Sequence, residues 1–140
     1  MGDPLDLERF VAAQDEVYAQ VVAELSAGEK CSHWMWFVFP QLRGLGLSRQ
    51  ADFFGIGSLE EAGAYWKHLV LGPRLEQCTR LVNLVEQRTI QEIFGSPDDL
   101  KFRSSMTLFA RAAPETPIFS DALEKYFSGE PDPRTMELMD

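Results

Sequence analysis

Chemistry-bearing residues are scarce in this chain of 140 residues, which has two cysteines, two histidines and a deficit of positive charge. Cys31 and Cys78 form no CxxC pair. With His33 and His68 they supply too few ligands at workable spacing for a zinc site, so no metal is expected. Both thiols lie in or beside apolar runs and read as reduced, buried cysteines of a reducing compartment. Against 22 acidic residues stand only 13 basic ones, for a formal net charge of −9. Nucleic acids are polyanions bound largely through Lys and Arg, so scattered basic residues on an acidic chain argue against nucleic-acid and anionic-membrane partners. Long hydrophobic runs are missing as well. The longest, Trp34 to Pro40, falls far short of the roughly 20 residues that cross a bilayer. Met1-Gly2-Asp3-Pro4 lacks the basic and apolar stretches of a secretory leader, and a cytoplasmic location is expected.

What the chain does have is core material. Hydrophobic residues make up 45 %, with ten Phe, three Trp and three Tyr, a composition unlike that of a disordered chain. A chain of this length fits one domain. The expectation is therefore a single helical domain over residues 1–140, with 133–140 a short, frayed tail helix. The first segment carries the clearest pattern. Leu7, Phe10, Val11, Val17, Tyr18, Val21, Val22 and Leu25 recur at helical spacing, with Glu8, Arg9, Asp15, Glu16 and Glu24 elsewhere. Asp3-Pro4 suits its start and Gly28 its end, which predicts one amphipathic helix.

Residues 32–39 are apolar on all sides, so periodicity alone does not separate a buried helix from a buried strand. No second convincing strand exists to pair with them, which favours helix. Beyond the Gly44–Gly46 loop, Ser48, Ser58 and Thr89 each precede a helical pattern, the last two as S/T-x-x-E capping boxes. Pro73 opens a helix with Leu75, Cys78, Leu81, Val82 and Val85 on one stripe. Ser96-Pro97-Asp98-Asp99 starts another, striped by Phe102, Met106, Phe109 and Ala113. A further helix covers about 118–127. The whole predicts an all-α bundle of about six to eight short and medium helices.

Two stretches carry a resemblance. One is Ser32-His33-Trp34-Met35-Trp36-Phe37-Val38-Phe39-Pro40-Gln41 with the following Gly44-Leu45-Gly46. The other is Phe94-Gly95-Ser96-Pro97-Asp98-Asp99-Leu100-Lys101-Phe102-Arg103-Ser104-Ser105-Met106-Thr107-Leu108-Phe109. Together with Asp3–Phe10 and Val70–Leu75, they resemble the signature segments of small bacterial proteins grouped as domain of unknown function 1810. The resemblance implies a compact all-helical fold and no particular activity. Some relatives carry a calpastatin label, which does not suit this chain: calpastatin's inhibitory regions are disordered, whereas this pattern describes a folded core.

The candidate chemistry is polar and sparse. Opposite the Phe/Met stripe of the helix after Pro97, Lys101, Arg103, Ser104 and Thr107 share one broad face. A guanidinium fork, an ammonium and two hydroxyls could receive a phosphate or carboxylate, or could simply be solvated or packed against neighbouring helices. His33, beside Trp34 and Trp36 in a segment too apolar for full exposure, is a weak candidate for a general base. Trp34 and Trp36 could stack a flat ring, although aromatics at this density are more often core. Asp98 and Asp99 could form a carboxylate pair for metal or acid–base work, but their position at a helix start favours stabilisation by the helix dipole. Gly44-x-Gly46 and Gly55-x-Gly57 belong to no nucleotide-binding pattern, and no cofactor is expected.

Two functions follow. The first is a non-catalytic binding or interaction domain for an unknown protein or small anionic ligand. The alternative is a small enzyme or ligand-binding domain for a phosphorylated or carboxylated metabolite, with His33, Lys101 and Arg103 in one pocket. Nothing in the pattern specifies an oligomeric state.

Overall fold

The computed structural model describes residues 3–139, and among them the regular elements are ten helices rather than six to eight. They are α1 (Glu8–Asp15), α2 (Tyr18–Ala27), α3 (Met35–Val38), α4 (Arg49–Phe53), α5 (Leu59–Lys67), α6 (Leu71–Leu84), α7 (Ile90–Phe94), α8 (Asp98–Ala112), α9 (Ile118–Phe127) and α10 (Pro133–Met139). The longest, α8, is central and packs against α5, α7, α9 and α10. Its predicted stripe of Phe102, Met106, Phe109 and Ala113 is fully buried. Phe102 meets Phe39 edge-on at 5.0 Å and stacks on Phe94 at 4.9 Å, joining α8 to the segments before it.

The predicted first helix is two. The chain leaves helical geometry at Val17, with φ −128° and ψ 0°. No glycine or proline marks the break; tertiary contacts impose it. Gln14 is drawn inward, where its amide donates to the Phe37 carbonyl at 2.7 Å and the Tyr65 hydroxyl at 2.9 Å. The two halves then pack on different partners, α1 on α3 and α2 on α6. The helix does not start at Asp3-Pro4: its first residue is Glu8, which follows Leu7 and whose N–H donates to the Asp3 carboxylate at 2.8 Å, whereas Gly28 takes the expected left-handed position with φ +74°.

The apolar run at 32–39 holds one helical turn, α3, and no paired ribbon. Trp34, Met35, Val38 and Phe39 are buried. Among the described residues one isolated backbone bridge joins Leu42 to Ile56 in parallel. It is secured by the Arg43 N–H on Ile56 at 2.8 Å and the Ile56 N–H on Gln41 at 2.9 Å. Gly55 permits this approach, because a Cβ there would lie 2.7 Å from Arg43 Cα. The bridge closes the base of the loop that carries α4 and fixes Gln41 in place.

Several helix starts differ from expectation in an instructive way. Thr89 and Glu92 form the complete capping box. At α5 only half forms: Ser58 accepts from the Glu61 N–H, but the Glu61 carboxylate turns to the Gly57 N–H and to Arg9 instead. The α6 helix starts at Leu71, two residues before Pro73, where His68 Nδ1 accepts from the Val70 and Leu71 N–H groups at 3.1 and 3.3 Å. Ser96 makes no cap at α8; its hydroxyl donates to Asp99 instead. The tail forms a capped helix, α10. Asp132 caps α10 through the Thr135 N–H and hydroxyl at 2.9 and 2.6 Å, and Thr135 is buried. Asp140 lies outside the described residues.

Candidate functional site

The polar face of α8 divides into two parts. Its C-terminal part is engaged with protein. Arg103 donates from Nε to the Glu130 carbonyl at 3.0 Å and lies 5.6 Å over the Phe127 ring. Thr107 donates to the Arg103 carbonyl at 2.8 Å and accepts the Asp132 N–H at 2.9 Å. Both side chains hold the 128–132 turn against α8, so the helix satisfies this face on its neighbours.

One turn earlier the face is open. Lys101 and Ser104, with Pro97 and Leu100, form the floor of a hollow of about 320 Å³. Its other walls are Gln41, Leu45 and Gly46 from the loop after α3, and Asp132 and Arg134 from the start of α10. The volume falls at the lower end of the range for small-molecule sites. Lys101 and Arg134 bring two positive charges to it and Asp132 one negative. The Ser104 hydroxyl bonds back to the Leu100 carbonyl at 3.1 Å, and Asp132 is held by Thr135. The hollow therefore presents cations and a carboxamide, with no activated nucleophile or imidazole.

Gln41 and Lys101 also line an adjoining apolar slot with Met35, Trp36, Phe39, Ala51 and Phe54. Its space is only about 10 Å³, room for about one water. The Lys101 ammonium lies 5.1 Å over the Trp36 ring and 3.6 Å from Asp98.

Of the candidates taken from sequence, Lys101, Ser104 and Trp36 thus gather at one place. The others do not. Trp34 is 1 % exposed and its indole N–H donates to Glu24 at 2.9 Å, so it is core. His33 is exposed, not half-shielded as its apolar neighbours suggested, because the chain is turning into α3 at that point. Cys31 is likewise exposed rather than buried. Cys78 is buried among α6 side chains, and burial pushes its thiol up to about 12, which makes it inert. Asp98 pairs with Lys30 at 2.8 Å, and Asp99 is buried with Ser96.

Sequence reasoning missed Gln41 and Arg134. Gln41 closes a signature run, and Arg134 sits in a tail that looked frayed. It also left two buried charges on the outside of the first helix. Arg9 spreads all its donors inward, onto the carbonyls of Leu5, Asp6, Phe53 and Gly55 and onto Glu61 at 2.9 Å. Glu24 accepts from Gln20, the Cys31 N–H, the Ser32 N–H and hydroxyl, and Trp34. Burial alone would raise the Glu24 carboxyl. The hydrogen bonds from Ser32, Cys31, Gln20 and Trp34 together outweigh it and hold the group at about 2. Periodicity could not reveal either residue, since a buried charge with partners looks the same in sequence as a solvated one.

An all-helical domain with a small cationic hollow is the class these features define. The model of the family described as Protein of unknown function (DUF1810) matches residues 4–139, and the chain belongs to that family. It is similar to the crystal structure of a conserved hypothetical protein from Mycobacterium tuberculosis, with 61 % identity, 98 % of each chain covered and a TM-score of 0.97. Among curated proteins none matches. No helix among the described residues is long and apolar enough to cross a membrane.

Proposed function

We propose that this protein is a non-catalytic cytoplasmic binding domain that holds a small phosphorylated or carboxylated ligand in the Lys101–Arg134 hollow. The observation that carries this reading is the placement of Lys101 and Arg134, from two separate helices, on a concave surface of suitable volume. An ammonium and a guanidinium lining one hollow suit an anion, the first as a point charge and the second as a planar fork. Binding without chemistry is favoured because the lining of the hollow holds no imidazole, its hydroxyl on Ser104 is bonded back to the Leu100 carbonyl, and its carboxylate on Asp132 is engaged by Thr135. His68 caps α6 and His33 is not among the residues lining the hollow. The acidic balance of the chain argues against a nucleic-acid partner.

Thermal unfolding with inorganic phosphate, acetate and sugar phosphates tests the reading. A ligand at 100 times its dissociation constant adds about 2.7 kcal/mol, a rise of roughly 5–10 °C for a chain of this size. Lys101→Met and Arg134→Ala should each abolish most of that rise, and His33→Ala should leave it intact. An unchanged rise in Lys101→Met, or no rise with any anion, would rule the hollow out.

A further inference from the structure

The three tryptophans of this chain differ in one respect. The Trp34 N–H donates to Glu24 and the Trp66 N–H to Glu115, at 2.9 and 2.8 Å. The Trp36 N–H is buried and, among the described residues, meets no acceptor. An unmade hydrogen bond inside a protein is costly, and native structures retain few of them. The Trp36 side chain lines the slot beside the cationic hollow, with Gln41 and Lys101 common to both spaces.

Lys101 lines both spaces. Its ammonium covers the Trp36 ring and lies 3.6 Å from Asp98, a loose pair with both side chains partly exposed. A lysine stem has four rotatable bonds, and its charge follows the nearest strong anion. An anion in the hollow that drew the ammonium off the indole would uncover the ring face and enlarge a slot otherwise sized for one water. The slot is lined by aromatic side chains, Trp36, Phe39 and Phe54, and the first of these holds an indole donor without an acceptor among the described residues.

We infer that the ligand has two parts: an anionic group for Lys101 and Arg134, and a flat ring bearing a hydrogen-bond acceptor that enters beside Trp36 and takes its N–H. This rests on the anion reading above and narrows it. Ringed phosphates and ringed carboxylates share the required chemistry, and paired probes separate them.

Calorimetric titration of the full chain would compare nucleoside 5′-monophosphates with ribose 5-phosphate, and pyridine carboxylates with acetate. The ring should strengthen binding about tenfold or more in at least one of the two comparisons. Trp36→Phe, which keeps a ring but removes the N–H, should lose most of that advantage and bind the ringless anion unchanged. Indole proton resonances of the ¹⁵N-labelled native chain supply a measurement that needs no variant. Ringed ligands should shift the Trp36 signal and leave those of Trp34 and Trp66 in place. Equal binding of ringed and ringless anions, or a ring preference that survives in Trp36→Phe with a stationary Trp36 signal, overturns the inference while the anion site stands. Failure of every anion to bind overturns the anion reading and this inference with it.

Discussion

Two of the hollows lined by arginine or lysine are opposites. The one beside Arg9, bordered by Arg43, Asp52 and Glu61, is the roomier at about 420 Å³, against about 320 Å³ beside Lys101. Yet its charges close upon each other. The Arg9 guanidinium meets four carbonyls and a carboxylate, and the side chains of Arg9 and Glu61 are 6 % and 7 % exposed. Beside Lys101 the ammonium has only a loose 3.6 Å pair with Asp98, and the Trp36 indole N–H of the adjoining slot's lining has no acceptor among the described residues. Space alone does not mark a site.

The sharpest way to break this contrast is to damage the closed side. Arg9→Met leaves the Glu61 carboxylate buried without its partner and should cost about 3–5 kcal/mol in urea unfolding. Arg9→Met with Glu61→Leu should recover a large part of that loss. No recovery would mean that Arg9 acts through its carbonyl contacts and not through the ion pair.

Acid titration probes the other buried carboxylate on the structural side. Glu24 titrates at about 2 in the folded protein against 4.5 for an unperturbed carboxyl. Because the folded value is the lower one, its contribution is complete above pH 4.5 and disappears as pH falls toward 2. It amounts to about 3 kcal/mol over that window. Glu24→Gln should be less stable at pH 7 and show a flatter stability profile below pH 4.5. A profile identical to that of the native chain would refute the assignment.

A smaller and more pointed effect separates the two neighbouring indoles. Trp34→Phe breaks a hydrogen bond to a buried carboxylate and should cost about 2–3 kcal/mol. Trp36→Phe breaks none and should stay within about 1 kcal/mol of the native chain, or exceed it. Equal losses in thermal or chemical unfolding would mean that the Trp36 N–H is satisfied in solution. Smallest of all is Lys101→Met. The pair with Asp98 is long and partly solvated, so stability should change by no more than about 0.5 kcal/mol. A large loss would assign Lys101 to the framework rather than to the ligand.

Much of the fold was legible because apolar residues at three- and four-residue spacing have one economical way to leave water. The stripes of α6 and α8 follow that rule, as do the Thr89–Glu92 box and the Gly28 terminator. The break at Val17 was not legible, since Gln14 turns inward only because Phe37 and Tyr65 wait there with a carbonyl and a hydroxyl. The candidate site was half legible. Lys101, Ser104 and Trp36 were visible as polar or aromatic residues in signature segments. Arg103 and Thr107 lie on the same helical face, but the 128–132 turn covers them. A helical wheel cannot foresee which part of a face a distant turn will cover.

Sequence by itself determined the helical class, the Phe-rich core and the absence of any familiar catalytic motif, because these depend on local spacing and residue chemistry. Tertiary structure decided which charges are buried with partners, which indole lacks one, and that Gln41, Lys101 and Arg134 meet around one hollow. Those outcomes depend on contacts between residues far apart in the chain, and spacing along the chain carries no record of them.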